Sequence, residues 1–216
     1  MTAKEFTQRL SRRAKRAKLS VSGDLSARLW IYFDLLFRWN RKINLTSLSL
    51  DSPDEAIDRL LIEPLLAARH VLPADRQLID IGSGGGSPSI PLRLTLPDVR
   101  LVMVESKARK SAFLREALRQ LETEAVVETA RFEELLSRPE FHETFDVLTL
   151  RAVRVEARTL GGLQAFVRPH GRLMLFGRFS TGDQPPWIVP PLRWNRVVPL
   201  TDGTAALAVL EKLRIP

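Results

Sequence analysis

The sequence predicts an open α/β fold: a mostly parallel sheet flanked by helices, with an antiparallel C-terminal hairpin at its edge and an N-terminal helical cap. Three observations carry this prediction. From Gln77 onward short apolar runs alternate with helical patterns, which reads as strand, crossover helix, strand. The first of those runs ends at Asp80 and enters a glycine cluster, Gly82, Gly84, Gly85 and Gly86, before a helix begins. The first 75 residues carry helical periodicity and no strand pattern. Residues 1–75 are therefore expected to form a basic arm plus a helical cap, and residues 76–216 the α/β core, together one compact unit.

In order along the chain, residues 4–19 hold Lys4, Arg9, Arg12, Arg13, Lys15, Arg16 and Lys18 among a few apolar positions. Two readings stand side by side: a solvated helix face, or an arm that neutralises phosphates. Between Ser26 and Ile43, the residues Leu29, Tyr32, Phe33, Leu36, Phe37 and Ile43 recur at helical spacing and predict a face docked on the core. That helix ends in WNRKINLT, where Trp39, Asn40, Asn44 and Thr46 suit a helix cap first and the rim of a nucleotide site second. A turn at Asp51-Ser52-Pro53 starts the next helix, which runs to about His70 and must kink or restart at Pro64.

Strands are predicted at Gln77–Ile81, Arg100–Val104, Ala125–Thr129 and Phe145–Ala152. The helices between them span Pro88–Leu96 and the segment SKARKSAFLREALRQL. Lys107, Arg109 and Lys110 stand at the amino end of the latter, against the helix dipole, as surface cations or as contacts for an anionic partner. A helix from about Val155 to Phe166, a turn at Pro169-His170-Gly171 and a strand at Arg172–Phe176 come next. A proline-rich linker, Gln184 to Pro191 with Trp187, leads to strands near Trp194–Pro199 and Ala205–Leu213, joined at Asp202-Gly203.

Charge and composition narrow the function. The 33 Lys and Arg outnumber the 25 Asp and Glu, and the net charge of +8 favours a polyanionic partner, whether RNA, DNA or an anionic membrane. With no cysteine, thiolate metal sites, disulfides and a cysteine nucleophile are excluded. The histidines, His70, His142 and His170, have no metal-ligand spacing, so no metal is expected. The amino terminus lacks an apolar stretch of signal-peptide length, and no run of about 18 apolar residues occurs, so a cytoplasmic location is expected.

The glycine cluster reads as a cofactor loop, because glycines allow positive φ and let a ligand approach the backbone N–H groups. It departs from the dinucleotide fingerprint: counted from Gly82 and Gly84, the last glycine of Gly-x-Gly-x-x-Gly would fall at Ser87. Alone, the cluster also fits a turn with no ligand. Glu105 ends the next strand, about twenty residues on, where an acid accepts hydrogen bonds from ribose hydroxyls; a solvated strand end is the alternative. Asp80 places a second carboxylate at the mouth. A ligand with ribose, an amino group and a sulfonium but no pyrophosphate fits this set, which points to S-adenosylmethionine over NAD. The candidate contacts are Asp80, Gly82, Ser83, Gly84, Gly86 and Glu105.

From Tyr32 to Gly177 the segments WNRKINLT, LIDIGSGGGSPSIPL, ES with KARKSAFL, ARFEEL and FDVLTLRAV occur in an order and at spacings that resemble the RsmG (glucose-inhibited division B) family of small-subunit ribosomal RNA methyltransferases. The resemblance implies a Rossmann-like fold and transfer of a methyl group from S-adenosylmethionine to N7 of one guanine in 16S RNA. It implies cofactor contacts at Gly82, Ser87, Phe132, Glu133 and Arg151. Arg151 is the candidate catalytic residue, facing the transfer cleft or an RNA phosphate, or else a surface arginine paired with Asp146 or Glu156. The implied partner is 16S ribosomal RNA or the small subunit, bound by a monomer with no membrane and no metal. A divergent methyltransferase on another RNA, a protein or a small molecule, and a non-catalytic cofactor- or RNA-binding relative, stay open. Four places depart from the family pattern. Leu60 stands where a histidine is usual, Glu63-Pro64 replaces Asp-Ser, Ser87-Pro88-Ser89 replaces an aromatic or leucine with Pro-Gly, and Phe176 precedes Gly177 where a lysine is usual.

Overall fold

A computed structural model describes residues 1–46, 48, 50, 52–151, 156–179, 188, 190–201 and 205–214. The expected roles of Asp51, of Val155, of Gln184 to Trp187 and of the Asp202-Gly203 turn lie outside the described residues.

Among the described residues, seven strands form one sheet: β1 (Gln77–Ile81), β2 (Arg100–Val104), β3 (Val126–Glu128), β4 (Phe145–Arg151), β5 (Val167–Gly177), β6 (Leu192–Pro199) and β7 (Ala206–Lys212), in the order β3-β2-β1-β4-β5-β7-β6. The first five pair in parallel, and β7 runs antiparallel to both β5 and β6. The predicted hairpin is present, with its second strand inserted between β5 and the edge strand β6. The turn expected at Pro169-His170-Gly171 is absorbed into β5. Its pairing with β4 shifts register between Phe145 and Val147, and His170 takes φ +65 there.

Alternate side chains of each strand serve opposite faces. Leu78, Leu101, Met103, Val147 and Met174 join the cap in one core, while Ile79, Ile81, Val104, Leu148, Leu150, Leu173 and Leu175 form a second core on the other side. Crossover helices α5 (Ser89–Thr95) and α6 (Ala108–Gln120) pack toward the cap side, and α7 (Phe132–Leu135) and α8 (Ala157–Leu163) contribute Leu135, Leu160 and Leu163 to the second core.

The cap consists of α1 (Ala3–Arg16), α2 (Gly23–Ile43), and a run through α3 (Pro53–Ile57), a π-helical turn (Asp58–Ile62), α4 (Glu63–Ala67) and a 3-10 turn (Ala68–His70). The basic N-terminal segment is a docked helix and not a free arm. Phe6, Leu10 and Ala14 recur every fourth residue and are buried. Arg9, Arg12 and Arg13 pair with Asp54 at 2.6, 3.6 and 3.0 Å, and Arg13 also meets Asp58. These pairs spend charge that a phosphate would otherwise have met. The π turn ends at Ile62, two residues before Pro64, where the sequence predicts a kink or restart: the helical backbone continues through Glu63 and the hydrogen-bond ladder is what changes.

Candidate functional site

The glycine loop crosses the carboxyl tips of β1 and β2. Gly82 and Ser83 donate their backbone N–H groups to the Val104 carbonyl at 2.8 and 3.0 Å, and Gly86 N donates to Ser83 O at 2.6 Å. Gly84 and Gly86 hold φ of +53 and +84, values that side-chain-bearing residues adopt at a cost. From the cap, the buried Tyr32 hydroxyl donates to the Gly85 carbonyl at 2.6 Å. A cleft of about 340 Å³ opens here, lined by Gly82, Ser83, Gly84, Gly85, Ser87, Glu105, Lys110 and Arg151 on the core side and by Leu36, Asn44, Leu45, Thr46 and Leu60 on the cap side.

Glu105 is buried, and both of its oxygens accept backbone hydrogen bonds: Oε2 from Gly84 N at 2.9 Å and Oε1 from Lys107 N at 2.8 Å. A carboxylate oxygen accepts more than one hydrogen bond, so hydroxyl donors can still be received. WNRKINLT divides between its two readings. Asn40 Oδ1 accepts from Leu45 N at 2.7 Å and Thr46 N at 3.0 Å and so caps the helix end, while Asn44 and Thr46 line the cleft. Trp39 turns away from it and packs edge-on against Phe113 of α6 with ring centroids 5.7 Å apart.

Asp80 lies under the loop, 1 % exposed and outside the cleft lining. Its register partner Thr149 donates to Oδ1 at 2.6 Å, and Oδ2 has no partner. Burial pushes the Asp80 carboxyl above its ordinary range, while the Thr149, Ser83 and Ser89 hydroxyls and the charge of Arg151 pull the other way. A carboxyl raised on folding contributes stability below its unfolded pKa, and that contribution is lost as pH rises through the folded value. Asp80→Asn lacks this loss. Its stability relative to the wild type is expected to improve as pH rises from about 4, read from urea unfolding in acidic and neutral buffers. A difference that stays flat with pH would reject the assignment.

Arg151, at the tip of β4, finds its carboxylate partner in the cap: Glu63 Oε2 lies 3.0 Å from Nη1. Asp146, a partner considered from the sequence, pairs instead with Arg168 at 2.5 Å. Nη1 of Arg151 also donates to the Arg59 carbonyl at 2.7 Å, and the guanidinium lies 4.5 Å from the ring centroid of Phe176, its register partner on β5. Nε and Nη2 are buried without partners, as is Glu63 Oε1. Burial pushes the Glu63 carboxyl up against the pull of Arg151 and Arg59. It pushes Arg151 down against the pull of Glu63. Unpaired buried donors are costly, and these lie on a residue that lines the cleft.

The structure thus gathers Gly82, Ser83, Gly84, Ser87, Glu105 and Arg151 around one cleft and sets Asp80 and Gly86 beneath or behind it. Phe132 and Glu133 come after β3, the neighbour of β2, outside the cleft lining. Phe132 packs toward Gly162 of α8, and Glu133 is exposed. Sequence reasoning missed Glu63 as a site residue; the signal available was its departure from the family pattern. Among the described residues, no helix is long and apolar enough to cross a membrane, and no group of His, Cys, Asp and Glu is arranged to hold a metal ion.

Solved structures with the same architecture include a SAM-dependent methyltransferase from Aquifex aeolicus, with a TM-score of 0.54 and 16 % identity over 76 % of this chain and 95 % of that one. TrmN from Thermus thermophilus gives a TM-score of 0.51 and 21 % identity over 70 % of this chain and 48 % of that one. At such identities the likeness speaks for the fold alone. Curated relatives carry the name ribosomal RNA small subunit methyltransferase G. The one from Desulfitobacterium hafniense is 38 % identical over 69 % of this chain and 60 % of its own length. That from Xanthomonas campestris is 33 % identical over 89 % of this chain and 90 % of its own length. The family model described as rRNA small subunit methyltransferase G matches residues 26–180, which takes in the α2 cap helix from Ser26 onward, the glycine loop, Glu105 and Arg151, and the chain belongs to that family.

Proposed function

We propose that the protein is an S-adenosylmethionine-dependent methyltransferase acting on N7 of a guanine in 16S ribosomal RNA. The observation that carries this reading is the strand-tip cleft with its buried, partly unpaired Arg151. The residues present fit the cofactor. The glycine loop offers backbone, Glu105 offers oxygens to sugar hydroxyls, and Arg151 brings a positive charge to the lining. Phe132 and Glu133, beyond the neighbouring strand tip, extend the same edge toward a purine ring. S-adenosylmethionine, when bound, supplies an electrophilic methyl group.

The remaining work falls to the chain. Guanine N7 carries a lone pair and no proton, so no general base is required, and orientation of the acceptor can supply about 7 kcal/mol or more of the barrier reduction. Arg151 orients through its charge at the cleft lining, and Leu36, Leu45 and Leu60 wall the cleft against water.

RNA is favoured as the acceptor by the charge at the rim. Arg41 and Lys42 end α2, Lys107 and Arg109 begin α6, and all four are exposed. The Trp39–Phe113 contact holds those two helix ends together, beside the Asn44, Thr46 and Lys110 that line the cleft. Cations so grouped neutralise phosphates without reading sequence. The test is to incubate the protein with methyl-labelled cofactor and either naked 16S RNA or assembled small subunits, then map the label. Label at one guanine N7 is expected. Label on another base, or on protein alone, would refute the position.

A further inference from the structure

Two positions that depart from the family pattern, Leu60 and Ser87, meet at the edge of the cleft. Pro64 has no amide hydrogen, so the carbonyl of Leu60, one helical turn earlier, has no α-helical donor. Ser87 Oγ donates to that carbonyl at 2.9 Å. Around the gap the helix adopts its π turn, Asp58–Ile62, closed by Glu63 N donating to Asp58 O. An inserted residue rotates the downstream part of a helix by about 100° around its axis. The first residue so rotated is Glu63, whose Oε2 meets Arg151. The Arg59 carbonyl that receives Arg151 Nη1 belongs to the same turn. Both anchors of the guanidinium therefore come from a helical segment whose open carbonyl is tied to the glycine loop.

We infer that Ser87 is a positioning residue: its hydroxyl replaces the donor that Pro64 lacks, holds the π turn, and through Glu63 and the Arg59 carbonyl fixes Arg151 at the cleft. The cofactor loop and the acceptor-side arginine are thereby set by one hydrogen bond between core and cap. The catalytic part of this inference rests on the methyl-transfer reading above; the structural part does not.

The experiment compares Ser87→Ala, Ser87→Thr, Pro64→Ala and the Pro64→Ala/Ser87→Ala double variant, each with the wild type. Amide hydrogen exchange of the 60–66 segment, measured without cofactor, reads the turn. Initial rates of RNA methylation read the consequence. In Ser87→Ala, exchange is expected to rise and kcat to fall, each by about tenfold, the factor that one lost hydrogen bond of this kind gives, with the KM for RNA within about twofold. Ser87→Thr keeps the hydroxyl, and its exchange stays within about twofold of wild type. In the Pro64→Ala background residue 64 regains an N–H for the Leu60 carbonyl, so adding Ser87→Ala changes exchange by less than about twofold. Exchange in Ser87→Ala equal to wild type, or an equal Ser87→Ala penalty in both backgrounds, would overturn the inference. A wild-type protein that methylates no RNA would remove the proposed function, and the exchange comparison would still decide the coupling.

Discussion

Arg151→Ala is expected to abolish methyl transfer and to lower the free energy of unfolding by about 3 kcal/mol, the usual cost of breaking a buried ion pair from one side. Glu63 is only 2 % exposed, and its Oε1 already lacks a hydrogen-bond partner. Without Arg151 the cation left beside it is Arg59, at 3.5 Å on a side chain 38 % exposed, which faces water and compensates the buried charge poorly. The variant also loses the donor to the Arg59 carbonyl and the stacking on Phe176. Stability and catalysis separate in a second variant. Glu63→Gln combined with Arg151→Met removes both charges and keeps volume, so most of the lost stability returns while transfer does not. Urea unfolding and label incorporation, run on both variants, check the pair of outcomes. Wild-type transfer by Arg151→Ala would remove this residue from the site, and unchanged stability would mean that Glu63 is not held by it. Arg151→Lys tests geometry: an ammonium keeps the charge but not the planar group whose Nη1 meets Glu63 and the Arg59 carbonyl and whose face lies over Phe176.

The parts of this molecule that local pattern encodes were legible. β1 and β2 carry short apolar stretches, Leu78-Ile79 and Leu101 to Val104, β4 alternates along Phe145–Arg151, and the glycine cluster marks the loop that leaves β1. β7 carried a readable signal too: Ala206 to Leu210 is buried throughout, as suits an interior strand, whereas β6 mixes exposed and half-buried positions, as suits an edge. Periodicity gives each strand's character but not its neighbour, so their order was not fixed by it. What depends on distant partners was not legible. The charges of α1 read equally as an arm until Asp54 and Asp58 are placed against Arg9 and Arg13. The buried Phe6, Leu10 and Ala14 were the local hint of docking. Arg151 and Ser87 are site residues by resemblance, but their partners, Glu63 and the Leu60 carbonyl, lie in the cap, and only the packing of cap on sheet brings them together. The proline itself was readable, and so was the need for some change in the helix; which hydroxyl would meet the orphaned carbonyl was not.

Gly84→Val is expected to cut affinity for S-adenosylhomocysteine, the demethylated cofactor, by at least about a hundredfold while leaving the fold standing. The two effects separate because of where the side chain would go. A Cβ at Gly84 would meet the carbonyl oxygens of Gly82 and Leu45 at 3.6 Å, ordinary contact, so the protein accommodates the first carbon. The backbone at φ +53 penalises a β-branched residue by about 1–2 kcal/mol, a loss a domain of this size can bear. The bulk beyond that contact is added at a residue that lines the cleft and donates its N–H to Glu105 Oε2. Any shift of the loop that relieves the strain also moves this acceptor. Gly86→Val makes the contrasting case. There the Cβ falls 2.6 Å from Ile90 Cδ1 and 3.3 Å from Leu114 Cδ2, inside the core, so unfolding precedes any effect on binding. Calorimetric titration beside thermal melting distinguishes the two variants. Unchanged affinity in a folded Gly84→Val protein would show that the cofactor does not lie along this loop.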